Sequence, residues 1–163
     1  MVEIQDAVSK WCDAMTKQHY YHLSSLYLGG PEVILVPRKE GENRGEGEPE
    51  VRRICVAPSP EHCMIALGDL LDEKVYVYRT KNKVKGTEPY DVPDAVVTRE
   101  RWLIRPTKFV LQDTLFLSFH AGIIDIMCGL HDCIGTEQAV PSQRRALKKL
   151  QALRLFNRIT NDV

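Results

Sequence analysis

Residues 51–80 read VRRICVAPSPEHCMIALGDLLDEKVYVYRT, and how this stretch folds decides the architecture. Ile54 to Ala57 is a short apolar run that meets Pro58-Ser59-Pro60, a pair of prolines no strand interior accepts. Ser59 is placed to cap a helix whose first position is Pro60: the hydroxyl accepts from first-turn amides, and a proline there gives up no hydrogen bond. Glu61 adds a negative charge beside the positive end of the helix dipole. Cys63, Ile65, Ala66 and Leu70 then share one face, predicting a helix over 60–71. The alternation VYVYR from Val75 predicts a strand over 74–79, and the apolar run before the prolines one over 52–57.

Working toward the N-terminus, residues 19–38 read HYYHLSSLYLGGPEVILVPR. Ile4, Val8, Trp11 and Met15 stand at helical spacing and predict an amphipathic helix over 2–17. Extending that helix to 28 would align His19, His22 and Leu26, but Tyr and Ser crowd this stretch and favour a strand over 20–25. Gly29-Gly30-Pro31 breaks the chain before a second strand over 32–37, closed by Pro37. Residues 39–50, KEGENRGEGEPE, hold no apolar side chain and predict a surface loop.

Toward the C-terminus, a Lys-, Gly- and Pro-rich loop over 80–94 leads into AVVTRERWLIRPTKFVL, one or two strands broken at Arg105-Pro106. Residues 114–135 lose polar alternation and read as a buried strand start passing into a helix. After Pro141 comes a basic helix with two apolar stripes. Ala146, Leu147, Leu150 and Leu153 face one way, and Ala152, Leu155, Phe156 and Ile159 the other. A helix apolar on two sides is sandwiched or meets a partner, which predicts a homodimer through residues 142–160. The whole is one domain over 1–163, with a β-rich core at 19–112 and a mainly helical extension at 113–163.

Charge and cysteine usage narrow the class. The chain of 163 residues carries 22 Lys and Arg against 22 Asp and Glu, so no global field draws it to nucleic acid, and nucleic acid is not expected as a partner. No apolar run reaches the roughly 18 to 20 residues a membrane span needs. Glu3 and Asp6 stand where a signal peptide would be basic, which predicts a cytoplasmic protein. The five cysteines are odd in number and irregularly spaced, as core thiols are. His120, Cys128, His131 and Cys133 lack metal-ligand spacing, and no metal is predicted.

The order of these pieces resembles the ADP-ribosyltransferase-like superfamily, including its rifampin-modifying and poly(ADP-ribose) polymerase-like members. Tyr21-His22-Leu23-Ser24-Ser25 is similar to the aromatic-His-hydroxyl run of the first strand, RICVAPSPEHCMIAL to the strand entering a short helix, KVYVYRT to the strand that follows, and ERWLI from Glu100 to the late strand that opens on a glutamate. The resemblance spans residues 19–112. It implies an α+β fold with a mixed or antiparallel ADP-ribosyltransferase-like β core, flanked by an N-terminal helix and a C-terminal helical extension. It further implies a transferase that binds NAD and moves ADP-ribose to a target, such as a protein.

The roles that follow are carried by the resemblance. Glu100 would stabilise the ribose cation and orient the attacking group. His22 would donate to a ribose hydroxyl, and Ser24, with Ser25 and Tyr21 in the same run, would hold the carboxamide side. Arg38, and less directly Arg53, would clamp the pyrophosphate. Where family members stack a tyrosine on nicotinamide this chain has Ile65, so Tyr76, Tyr78 or Tyr90 would have to supply the shelf. That departure leaves a second expectation: a catalytically inactive interaction module acting through its C-terminal helix.

Overall fold

The computed structural model describes residues 16–39, 49–67, 74–92, 94–116, 130 and 136–161, with the side chains of the last helix described through Ala152. The elements run in the order β1 (Tyr21–Ser24), β2 (Glu32–Leu35), β3 (Ile54–Val56), α1 (Pro60–Leu67), β4 (Lys74–Thr80), α2 (Ala95–Thr98), β5 (Arg101–Leu103), β6 (Thr107–Phe116) and α3 (Ala139–Asn161). β1, β4, β6 and β2 form an antiparallel sheet in that order, and β3 pairs with β5 as a separate ribbon.

The sheet lies between two apolar layers. On one face Leu23, Val75, Val77 and Leu115 pack with Met64 and Ile65 of α1, Val97 of α2, and Ala146 and Leu150 of α3. On the other Tyr20, Tyr78 and Phe109 pack with Ile54, Val56 and Leu103 of the ribbon. Alternation along β4 serves both layers, with Val75 and Val77 toward the helices and Tyr76 and Tyr78 toward the ribbon.

β6 serves both layers by another device. Tyr78 pairs with Leu111 and Val77 with Asp113, so Gln112 is an extra residue opposite the Val77/Tyr78 step. A bulge of this kind shifts the side-chain phase by one. Phe109 and Leu111 therefore face the ribbon, while Leu115, of the same parity, faces the helices.

The start of α1 is capped as its residues dictate. The His62 amide donates to Ser59 Oγ at 3.2 Å, and that hydroxyl donates to His62 Nδ1 at 2.7 Å. Burial, and then the charge of Arg99, push the imidazole pKa down to about 4.

Most predicted elements fall within a residue or two of the observed ones. The predicted helix over 60–71 is observed to Leu67, and residues 68–73 lie outside the described residues. One expectation is corrected: Ala95–Thr98 is a helical turn and not a strand. Its β-branched residues favour a strand, but Thr98 N donates to Asp94 O at 2.9 Å, and buried Val97 packs among the helices. Gln143 Nε2 also donates to Val97 O at 2.5 Å. Tertiary contacts override local preference here. Residues 2–15 of the helix predicted over 2–17, the segment 117–129 and the set His120, Cys128, His131 and Cys133 lie outside the described residues, and Thr16 and Lys17 are not helical.

In α3, Ala146 and Leu150 are buried within their own subunit and Leu147 packs beside them, while Ala152 is exposed. Leu153, Leu155, Phe156 and Ile159, on which the two-stripe reading also depends, have side chains outside the described set. No helix among the described residues is long and apolar enough to cross a membrane.

Candidate functional site

Period-two geometry gives the ribbon two unlike faces. Ile54, Val56 and Leu103 turn into the core, which leaves Arg53 and Cys55 of one strand and Glu100 and Trp102 of the other on the opposite face. Cys55 stands directly across from Trp102. The Trp102 indole N–H donates to Glu100 Oε1 at 2.7 Å, and the Arg53 guanidinium lies over the Trp102 ring at 4.4 Å. Tyr90 packs edge-on against the same ring at 5.4 Å. Trp102 is thus a buried post that holds a carboxylate by its edge and a cation by its face.

Beside this face runs a cleft of about 450 Å³ whose wall includes His22, Ser24, Ser25, Arg38, Arg53 and Glu100. β1 brings the histidine: Tyr21 bridges to Ala57 through two backbone hydrogen bonds of 2.8 and 3.0 Å, laying β1 along the end of β3. The His22 ring then bonds Cys55 O through Nδ1 at 3.0 Å. A carbonyl only accepts, so Nδ1 carries the proton, and Nε2 of the neutral ring is an acceptor. His19 bonds a different carbonyl, Thr80 O, through Nδ1 at 2.9 Å.

Arg38 and Arg53 face each other across a hydrogen-bonded rung, with Arg38 N to Arg53 O at 3.2 Å and Arg53 N to Arg38 O at 3.0 Å. Arg53 is buried and Arg38 exposed, and Arg53 Nη1 also donates to Pro49 O at 3.0 Å. Like charges directly opposite on a ladder repel each other. Both arginines contribute to the cleft wall.

Burial raises Glu100 above the usual carboxylate range. Hydrogen bonds from the Trp102 indole and the Cys55 thiol, with the charge of Arg53, draw it back, and Asp94 raises it further. The carboxyl therefore sits in the environment of a proton-transfer group, less readily ionised than a surface glutamate.

Three expected residues are placed otherwise. Tyr21 is not on the cleft wall and packs against the helical core. Tyr76 is also off the wall, stacked on Tyr27 at 5.5 Å beneath Lys74. Ser24 lines the cleft, but its hydroxyl donates to Leu26 O at 2.8 Å and accepts from Leu26 N at 3.1 Å, so its one proton is committed to a turn. Ile65 is in the core, and His22 is the one aromatic ring on the wall among the described residues.

Sequence reasoning missed Cys55 and Trp102. The signal for Trp102 was present, since Glu100 and Trp102 are two apart on a strand and must share a face. Cys55 had no such signal, because a thiol in an apolar run reads as core. Comparison of the chain with protein families, with curated proteins and with solved structures finds no match.

Proposed function

We propose that the cleft binds NAD and transfers its ADP-ribose group to an acceptor nucleophile. The reading is supported above all by the Arg38–Arg53 rung, which sets two arginines opposite each other on a concave wall that also holds Glu100 and His22. A pyrophosphate there would accept charge-assisted hydrogen bonds from both. His22 Nε2 would accept from a ribose hydroxyl, with the ring fixed by Cys55 O. In the transfer, the bond from ribose C1′ to nicotinamide breaks and its electron pair goes to the ring nitrogen. The acceptor bonds C1′ and releases a proton to Glu100, whose negative charge also favours the cationic ribose at the transition state. The described cleft wall offers no tyrosine or tryptophan face to a nicotinamide ring, so that end of the ligand would rest on aliphatic side chains.

The reading is tested by the melting temperature of the purified chain in NAD. A ligand held only by the native state stabilises it by about 2.7 kcal/mol at a hundred times its Kd. Exposed Arg38→Ala should remove most of that shift without unfolding the protein, and His22→Ala should do the same. Absence of a shift at millimolar NAD would overturn the proposal.

A further inference from the structure

On a different stretch of surface, a groove of about 800 Å³ is lined by Lys17, Lys83, Lys85 and Arg105, with Glu88 the one carboxylate on it among the described residues. The backbone builds it deliberately. Gln18 pairs with Val84 through hydrogen bonds of 3.0 and 2.9 Å, and Thr87 pairs with Trp102 through bonds of 2.8 and 2.9 Å. The loop 81–88 is thereby stitched between the segment before β1 and β5, which carries cations from three distant parts of the chain to one concavity. Gly86 permits the close packing beneath, since a Cβ there would stand 2.9 Å from the Tyr20 hydroxyl and 2.9 Å from Arg101 Cβ. Leu103, Ile104 and Pro106 supply an apolar bed.

Among the described residues, four cations against one carboxylate is a strong local excess in a chain whose formal charge is zero. All four side chains are exposed, and among the described residues no carboxylate pairs with Lys17, Lys83 or Arg105. We infer that this groove binds the phosphodiester backbone of nucleic acid. Three of the four cations are lysines, which act as mobile point charges suited to a row of phosphates and not as planar forks for single carboxylates. Among the described residues no aromatic ring lines the groove, so contact falls on the backbone and not on stacked bases. Neutral overall composition removes long-range attraction but not this local complementarity. The inference is independent of the reading of the cleft.

The test is fluorescence anisotropy of the full chain with a labelled mixed-sequence duplex, from about 25 to about 200 mM KCl. Three or four phosphate contacts predict that log K falls with log salt at a slope of roughly −3, at about 0.9 per contact. Lys83→Glu with Lys85→Glu should weaken binding by at least about ten-fold, and Arg105→Ala should reduce the slope by roughly one. Both variants change exposed side chains and should melt as the wild type does. Arg144, Arg145, Lys148 and Lys149 form a second basic row on the exposed side of α3, so Arg144→Glu with Lys148→Glu is the control and should leave binding intact. The inference is overturned by an absence of saturable binding at the lowest salt, or by a slope shallower than about −1. It is equally overturned if the α3 variant loses as much binding as the groove variant, or if polyglutamate displaces the duplex charge for charge.

Discussion

Glu100 is folded into a setting that disfavours its charge, and the Trp102 indole keeps it there. A carboxyl whose pKa is raised by folding stabilises the native state most below its unfolded value, and that contribution is lost as pH rises through the folded value. Glu100→Gln retains an acceptor for the indole and removes the charge. At neutral pH this substitution should therefore raise the melting temperature by roughly 2–4 °C, the effect of about 1 kcal/mol in a chain of this size. It should also lower any NAD-dependent turnover about 100-fold or more. A variant less stable than wild type at neutral pH would show that the ionised carboxylate is structural. His62 runs the other way. Its pKa is depressed from 6.5 to about 4, so the stability it lends is complete above 6.5 and drains away as pH falls toward 4. Protonated Nδ1 can no longer accept the Ser59 hydroxyl, so that side-chain hydrogen bond reverses or breaks in the same window while the amide cap of α1 stays. Urea midpoints measured between these limits should fall with acid in the wild type, and His62→Gln should flatten that dependence.

At the scale of elements, α3 is tied to the body by Leu150, which is fully buried, and by Gln143 reaching Val97 O. Leu150→Ala should lower stability by about 2–5 kcal/mol through lost burial and a residual cavity. Equilibrium unfolding measures this directly, and a loss near zero would mean that α3 is not docked as described. The elements that were legible in the sequence were those with local causes. The Pro-Ser-Pro signal placed α1, alternation placed β4, and Gly-Gly-Pro separated β1 from β2. The turn Ala95–Thr98 was not legible, because its cause is a set of contacts to α1 and α3 that its own residues do not announce.

For the whole molecule, the cleft was legible as a list of residues and not as an arrangement. His22, Arg38, Arg53 and Glu100 could each be picked out by type and neighbourhood, yet what makes them one wall is the Arg38–Arg53 rung and the Tyr21–Ala57 bridge. Both are long-range pairings between strands. The tyrosines were misassigned for the same reason: which face of β4 looks into the cleft depends on what packs above the sheet. Charge was legible only as a total, whereas the basic groove depends on pairings that gather residues 17, 83, 85 and 105.

The extra residue in β6 gives the chain an uneven tolerance to lost codons. If Gln112 is deleted, Leu111 and Asp113 become neighbours and can keep their partners Tyr78 and Val77 in an unbroken ladder. Every other side chain of the strand stays in phase. If Val110 is deleted instead, Phe109 slips opposite Arg79, and Lys108 takes the place facing the ribbon that Phe109 now fills completely buried. The first protein should fold and melt cooperatively. The second should lose at least the roughly 3–5 kcal/mol of a large aromatic removed from a core, and fail to fold at ordinary temperature. Two deletions two positions apart in one strand should thus part company, and a survey of single-residue deletions across β6 would find the permissive site at Gln112.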